Sequence, residues 1–188
     1  TVVWAEALDG GDWKATVPAR DRLFAQAAPF TEAPTPLVTL PQRFSGFRWV
    51  EDGKTVLIRE YDENRHWTRT LAYPVVSAIS SATPTPLGAG KVLFDHSWDE
   101  HYAHPGTPVM RVRADGTTVV ALRNGSIFLA GDGSSPAGDR PFLDRLTLAT
   151  GRRERVFRSA ADAYERFLGL PDGNETAFLT WHQSKSAV

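Results

Sequence analysis

The segment at residues 47–73 reads FRWVEDGKTVLIREYDENRHWTRTLAY, and it contains the pattern that decides the fold. A short aromatic run is followed by Asp52-Gly53 and then by a longer run rich in β-branched residues. Because glycine accepts the positive φ that a tight hairpin turn requires, Asp-Gly between two apolar runs is a strong signal for a β-hairpin. The segment therefore predicts two antiparallel strands joined by a turn at Asp52-Gly53.

The same phrase occurs twice more along the chain. Asp115-Gly116 and Asp172-Gly173 also lie between apolar runs, and a threonine-led apolar segment follows each of them. These threonines, together with Thr1, define blade pitches that start near residues 1, 55, 118 and 176, with spacings of 54, 63 and 58 residues. The spacings exceed the roughly 40–45 residues of a WD-type blade and suit four-stranded blades with extended outer loops.

Short segments rich in Val, Ile, Thr and aromatic residues fill each pitch, and 15 Gly and 13 Pro separate them. Such a composition is typical of strands and turns, and Asn124-Gly125 is expected to form a type I′ hairpin turn. The predicted strands are residues 1–8, 21–27, 37–40, 47–50, 55–61, 67–73, 91–94, 109–113, 117–123, 126–130, 143–148 and 176–181. We predict an all-β fold class: residues 1–188 form a single partial β-propeller domain of about three to four blades of antiparallel four-stranded sheet.

One segment fits two patterns. Residues 159–168 match an amphipathic helix with Ser159 as its N-cap, whereas the repeat register makes residues 167–170 the strand before Asp172-Gly173. We expect a single helical turn that leads into that strand. Residues 75–90 are rich in small residues and proline, so we expect a surface connection there rather than a domain boundary.

Composition and charge exclude several functional classes. The chain has 41% hydrophobic and 23% charged residues, a formal net charge of -1 and no cysteine. A chain with almost no net charge lacks the basic surface that binds nucleic acid. No apolar run approaches the roughly 18 residues of a membrane span. The absence of cysteine excludes disulfides and cysteine-ligated zinc but does not decide the compartment. We expect no nucleic-acid or membrane partner and a soluble protein of the cytoplasm or periplasm.

Three pitches do not close a propeller ring, because each blade needs neighbours to bury both faces of its sheet. The chain begins and ends at the same phase of the repeat, so we expect a portion of a larger propeller. We expect its open edges to be covered by the remainder of the propeller, by another chain or by self-association.

Four phrases carry a resemblance to a known family. They are WAEALDGGDWKATVPARDRLFAQAAPF at residues 4–30, YDENRHWTRTLAY at 61–73, SWDEHYAHPGTPVMR at 97–111 and GDGSSPAGDRPFLDRLTLATGRRERVF at 131–157. They resemble the β-propeller domain of prolyl-oligopeptidase-family serine peptidases, in the glutamyl endopeptidase or dipeptidyl aminopeptidase-like branch. The α/β-hydrolase domain that follows the propeller in that family is missing, which implies a fragment without the catalytic domain.

The resemblance implies a role and a set of partners. In that family the propeller covers the active site of the adjoining α/β-hydrolase domain and limits access to peptide-sized substrates. The implied partners are the remainder of the propeller, that hydrolase domain and a peptide substrate, and the implied compartment is the plastid stroma if the chain comes from a plant. The alternative is a stand-alone binding or scaffold β-propeller without catalytic activity.

The chain offers no convincing serine nucleophile. A nucleophile elbow needs Gly-x-Ser-x-Gly between a strand and a helix. Gly133-Ser134-Ser135-Pro136-Ala137 comes nearest, but Pro136, Gly138 and Pro141 forbid a helix directly after it. We therefore interpret Ser135 as part of a long outer hairpin loop and expect no catalytic residue in this chain.

Two clusters of polar residues could suggest a metal. The first combines histidines and carboxylates: Asp95, His96, Asp99, Glu100, His101 and His104. It ends at Pro105-Gly106, and it contains no His-Glu-x-x-His helix, so a solvated loop is expected. The second is Asp132, Asp139 and Asp144, whose spacing misses the alternating oxygens of an EF-hand. We expect neither a metal nor another cofactor, and we interpret Arg140, Asp144 and Arg145 as ion pairs or turn contacts of a blade.

Cations lie beside an aromatic residue at one predicted hairpin end. Arg65, His66 and Arg69 surround Trp67, and arginine suits bidentate recognition of a carboxylate. These three residues are the candidate contact for a peptide or a carboxylate. The alternative is that Trp67 packs in the core while the arginines lie at the rim. Asn124 and Asn174 match the glycosylation sequon, but both lie in predicted hairpin corners, which explains them without a sugar.

Overall fold

The computed structural model describes residues 1–76, 84–171 and 177–186. Sixteen strands and no helix are found in those ranges, and the pairing of the strands is antiparallel throughout. The predicted all-β fold class is therefore confirmed. The chain divides into two compact units, Thr1–Trp98 (unit 1) and Asp99–Val188 (unit 2), each with its own sheets.

Unit 1 begins with a three-stranded sheet. Its strands are β1 (Val2–Ala7), β2 (Asp21–Gln26) and β3 (Thr35–Leu40), in the order β1-β2-β3. Burial alternates along β2, with every second side chain fully enclosed, as expected for a strand that has one face on the core. The strands match the three predicted for this stretch.

The second sheet of unit 1 is a four-stranded meander. Its strands are β4 (Arg43–Trp49), β5 (Thr55–Asp62), β6 (Trp67–Pro74) and β7 (Lys91–Ser97), in sequence order. The Asp52-Gly53 turn joins β4 to β5: Gly53 has φ of 66°, and Asp52 Oδ1 accepts the backbone N–H of Lys54 at 2.9 Å. The predicted hairpin is confirmed, and the meander is the unit from which propeller blades are built.

The core of unit 1 lies between these two sheets. Alternating residues of the central strands supply it, with Leu23 and Ala25 from β2 and Val56 and Ile58 from β5 all fully buried. The period of two along both strands directs these side chains to the same layer. Tyr73, from β6, closes the cluster.

Unit 2 contains shorter strands and a larger sheet. The strands are β8 (Thr107–Pro108), β9 (Met110–Val112), β10 (Thr118–Val120), β11 (Leu122–Arg123), β12 (Ser126–Gly131), β13 (Phe142–Thr147), β14 (Arg153–Arg158), β15 (Ala163–Gly169) and β16 (Leu179–Ser184). The sheet order is β11-β12-β13-β14, β8 also pairs with β12, and β9–β10 and β15–β16 form separate pairs. The predicted strand at 117–123 is interrupted at Ala121, and β8 and β14 were not predicted.

The hairpin between β11 and β12 has the predicted turn. Arg123 pairs with Ser126, so the loop consists of Asn124 and Gly125 alone. Their φ values of 48° and 71° are the two positive values that define a type I′ turn. The prediction is confirmed, and the turn explains the sequon at Asn124 without a sugar.

The predicted helical turn at residues 159–168 is wrong. Ser159 is completely buried, and its hydroxyl donates to the carbonyl of Ala163 and accepts the N–H of Glu165, both at 2.9 Å. The backbone N–H of Ser159 donates to Pro141, outside any helix. The hydroxyl therefore organises a tight link into β15 instead of capping a helix, and β15 contains most of the predicted strand at 167–170.

The repeat stays a prediction as a whole. Strands begin at Val2, Thr55 and Thr118, next to three of the four expected blade starts. The fourth start, near residue 176, and the Asp172-Gly173 turn lie outside the described residues, as does the sequon at Asn174. Within the described ranges, no helix is both long enough and apolar enough to cross a membrane.

Replacing Gly125 with alanine is expected to destabilise the fold by about 1 kcal/mol, because a β-carbon is strained at positive φ. A β-carbon at Gly125 would meet no atom within 4 Å, so the loss reports backbone strain alone. Gly169→Ala is the matched control, since Gly169 is equally open but has no positive φ in the left-handed region. Urea unfolding measures both; equal losses would contradict the type I′ assignment.

Candidate functional site

The corner between β5 and β6 holds the residues singled out from the sequence. Asp62 pairs with Trp67, so residues 63–66 form the loop. The N–H of Arg65 donates to Asp62 Oδ1 at 3.2 Å and the N–H of His66 to the Glu63 carbonyl at 3.3 Å. These two bonds shape the loop and leave the side chains of Glu63 and Arg65 exposed.

His66 serves to hold the corner in place. It has φ of 50°, an uncommon value for a residue with a side chain. Its carbonyl accepts the N–H of Trp98 and the hydroxyl of Ser97, both at 3.0 Å, and its ring stacks on Trp98 with a centroid separation of 5.3 Å. The corner is therefore fixed to the end of β7, and His66 is not among the residues that line the pocket described next.

Arg69 is engaged by an internal carboxylate. Glu60 is 1% exposed, and its Oε1 accepts Arg69 Nε at 2.7 Å and Nη2 at 2.5 Å. The backbone N–H of Gln42 donates to the other oxygen at 3.1 Å. A ligand carboxylate at Arg69 would therefore have to compete with Glu60, which lies directly opposite Arg69 in the strand register and already accepts two of its N–H groups.

Arg65 and Trp67 form the outer wall of a small pocket. The Arg65 guanidinium lies over the Trp67 ring at 5.2 Å, and the indole N–H donates to Asp95. Trp67 is half-buried here and is not among the buried core residues, so its interpretation as a core residue does not match the structure. The pocket has a volume of about 120 Å³, and Arg65 and Arg69 both line it.

A larger pocket of about 520 Å³ shares two lining residues, Tyr61 and Asp62, with the small pocket. Trp13, which is 50% exposed, forms one wall, and Glu63 forms another. We call the two pockets together the corner groove. Exposed aromatic faces with a few polar groups are the usual lining of a ligand site.

The charges of the corner groove are unevenly matched. Each of its half-buried arginines has a carboxylate partner: Arg20 and Arg43 contact Asp9, and Arg69 contacts Glu60. Asp62 and Glu63, by contrast, make no ion pair with any described residue. The arginines and carboxylates that line the groove are equal in number, four of each, and the carboxylates Asp9 and Asp21 behind Arg20 and Arg43 add a surplus of two negative charges. Such a surplus is better suited to a cationic group of a peptide than to an isolated carboxylate.

Asp9 and Asp21 hold in place the two arginines that line the larger pocket. Arg43 donates to Asp9 Oδ2 and to Asp21 Oδ1, both at 2.5 Å, and Arg20 donates to Asp9 Oδ2 at 2.9 Å. The hydrogen bond from Arg43, with further bonds from the Gly11 N–H and Arg20, lowers the pKa of Asp9 to about 2 against the opposing effect of burial. Asp9 is thus held ionised in the folded protein.

Ser135 lies in the loop between β12 and β13, as expected. Its hydroxyl donates to the Gly138 carbonyl at 2.7 Å and accepts the N–H of Ala137 at 3.3 Å. Strand β13, and not a helix, follows the loop. The geometry of a nucleophile elbow is therefore absent at this serine.

The candidate metal ligands do not converge. His104 Nδ1 accepts the Gly106 N–H at 3.0 Å, and His101 is exposed. Asp144 is buried on β13 and accepts hydrogen bonds from Arg153 and Arg155, which agrees with its interpretation as an ion-pair partner. In the part of the chain that the structure describes, no group of three or more histidines and carboxylates is placed to hold a metal ion.

No family model matches the chain. Two plant proteins named "Probable glutamyl endopeptidase, chloroplastic" are similar to it. The one from Arabidopsis thaliana is 31% identical over 172 residues and the one from Oryza sativa subsp. japonica 32% over 168, which covers 87% and 86% of this chain. The chain spans 17% of the length of each relative, so it is similar to a small part of these longer proteins.

Two solved structures also show a likeness. TolB from Acinetobacter baumannii has a TM-score of 0.39 and 15% identity, over 90% of this chain and 37% of its own. A luciferin-regenerating enzyme has a TM-score of 0.39 and 14% identity, over 96% of this chain and 55% of its own. At these values neither likeness carries an argument about function.

Arg69→Ala is expected to lower the free energy of unfolding by about 2 kcal/mol, because it leaves Glu60 buried without its cation. We expect a smaller loss than the roughly 3–5 kcal/mol typical when a fully buried ion pair is broken, because Arg69 is partly exposed and the Gln42 N–H still donates to Glu60. Arg65→Ala, in the same corner, is the control and should cost about 0.5 kcal/mol or less. Urea denaturation tests both; similar values for the two variants would contradict the pairing described.

The network around Asp9 predicts a pH dependence. Because the pKa of Asp9 falls from 3.8 to about 2 on folding, its stabilising effect is present above pH 3.8 and is lost as the pH falls through about 2. Asp9→Asn should therefore be less stable than the wild type at neutral pH and should lose less stability on acidification. Urea unfolding at a series of pH values gives both curves; parallel curves would refute the assignment.

Proposed function

We propose that this chain is the non-catalytic propeller portion of a prolyl-oligopeptidase-like serine peptidase. The observation that carries the proposal is the 31–32% identity, over 86–87% of the chain, to a part of proteins named probable glutamyl endopeptidase. The blade-like meander in unit 1 and the absence of a nucleophile elbow at Ser135 support it. The activity is then located in an α/β-hydrolase domain elsewhere in the same protein.

Within that protein, the proposed role is to restrict access to the hydrolase active site. The central channel of a propeller lets a polypeptide through only if it is narrow enough. An extended peptide is far narrower than a folded protein. The proposed partners are the remainder of the propeller, the hydrolase domain and a peptide substrate. Self-association through open blade edges is a further proposed contact.

The corner groove is the proposed peptide contact. Trp13 and Trp67 offer apolar surface, while Asp62 and Glu63 offer carboxylates to a cation such as a peptide amino terminus. We propose Arg65, which is exposed over Trp67, as the direct contact of the peptide, and Arg69 and His66 as residues that shape the wall and the corner. The groove thus favours recognition of a peptide by several weak contacts.

The experiment compares the chain alone with the complete product of the gene that encodes it. The chain alone should neither hydrolyse peptides nor react with a fluorophosphonate probe, because an unactivated serine is a weak nucleophile. The complete product should be labelled at one serine outside residues 1–188. Ser135→Ala is the control and should change neither result.

Labelling of the chain alone that disappears in Ser135→Ala would overturn the proposal. A complete product that is neither labelled nor hydrolytic would favour the alternative, a stand-alone binding or scaffold propeller.

A further inference from the structure

Unit 2 contains a pocket that the proposed function does not use. It has a volume of about 280 Å³ and lies where β13 and β14 meet the loops at residues 102–104 and 133–134. Phe142 and three arginines of β14, Arg153, Arg155 and Arg158, line it. The pocket is therefore a concave site with a strongly cationic strand on one side.

Two of the three arginines are held by a buried carboxylate. Asp144 is 1% exposed and accepts hydrogen bonds from the Nε atoms of Arg153 and Arg155, and Arg153 Nη2 also donates to the Pro105 carbonyl at 2.9 Å. Both guanidinium groups lie over the Phe142 ring, at 5.7 and 4.1 Å. Their positions are thus fixed before any ligand arrives, and a single carboxylate offsets two cations.

Arg158 has no such partner. It is exposed at the end of β14, directly opposite Phe142 in the sheet register. Its side chain makes no hydrogen bond or ion pair with any described residue. Its complete guanidinium fork is therefore available, and the pocket has a net surplus of two positive charges over its one buried carboxylate.

The remaining polar groups of the pocket wall can all donate. His104 Nδ1 accepts the Gly106 N–H, so in the neutral ring the proton is on Nε2. The Ser134 hydroxyl and the hydroxyl of Tyr102, a residue that is 64% exposed, also belong to the wall. Donors and cations without a spare anion define a site for an anion and exclude one for a cation.

We propose that this pocket binds a carboxylate, with the fork of Arg158 as the bidentate contact and Arg153 and Arg155 as fixed neighbouring charges. Arginine matches the two oxygens of a planar carboxylate with two parallel N–H bonds. The carboxylate can come from an acidic side chain or from the C-terminus of a peptide. The inference stands on the geometry of unit 2 alone and is independent of the peptidase role.

The test is an NMR titration of the ¹⁵N-labelled chain at low ionic strength with three related probes. N-acetyl-glutamic acid α-amide has only a side-chain carboxylate, its isomer N-acetyl-glutamine has only an α-carboxylate, and N-acetyl-glutamine amide has neither. We expect saturable shifts of the Ser134, Phe142 and Arg158 amides with one or both carboxylates and none with the neutral probe. Which isomer binds identifies the source of the carboxylate.

Arg158→Gln should weaken binding about tenfold or more, as expected for the loss of a charge-assisted pair of hydrogen bonds. Arg113→Gln, which removes the same charge from an exposed position outside the pocket, is the matched control and should bind like the wild type. Spectra that are otherwise unchanged show that both variants are folded. Arg158 has no internal partner to lose, so unfolding is not expected.

Four results would overturn the proposal. They are the absence of saturable binding, equal binding of the neutral probe, equal weakening by Arg113→Gln, and saturation of the pocket by inorganic phosphate but by neither carboxylate.

Discussion

The need to satisfy buried carboxylates is the constraint on which the described structure depends. Asp21, Glu60 and Asp144 lie on strands with at most 3% exposure, and a buried charge without a partner is strongly destabilising. Asp21 on β2 accepts both the Arg43 side chain and the N–H of Phe44, so it ties the first sheet of unit 1 to the start of the meander. In the described residues, every buried side-chain nitrogen and oxygen has a hydrogen-bond partner.

The same constraint separates structural charges from those that can recognise a ligand. Arginines beside a buried carboxylate, such as Arg43 and Arg69, are occupied by the fold. The charged groups without an ion-pair partner among the described residues are the ones we propose for recognition: Asp62, Glu63 and Arg65 in the corner groove, and Arg158 in the pocket of unit 2. Residue type alone would have assigned carboxylate recognition to Arg69, whereas the distances assign that residue to Glu60.

The hairpins were predictable because their turns require particular residues in adjacent positions. Contacts between residues far apart in the chain leave no comparable pattern in the sequence. Asp52-Gly53 and Asn124-Gly125 form the predicted turns because positive φ selects their residues. Strand β14, with the sequence RERVFR, was not predicted because its apolar and polar residues hardly alternate. Its first two arginines instead donate hydrogen bonds to Asp144. The Glu60–Arg69 pair could have been found by extending the register from the corner. The Asp9–Arg43 bond, which spans 34 residues, could not.

We propose that this chain restricts what reaches a hydrolase domain. The most direct measurement is kcat/KM of the complete gene product for one cleavable sequence, presented as a short free peptide and as part of a stably folded host protein. We expect hydrolysis of the free peptide and none of the folded host until the host is unfolded. Hydrolysis of the folded host at the rate of the free peptide would contradict the proposed role.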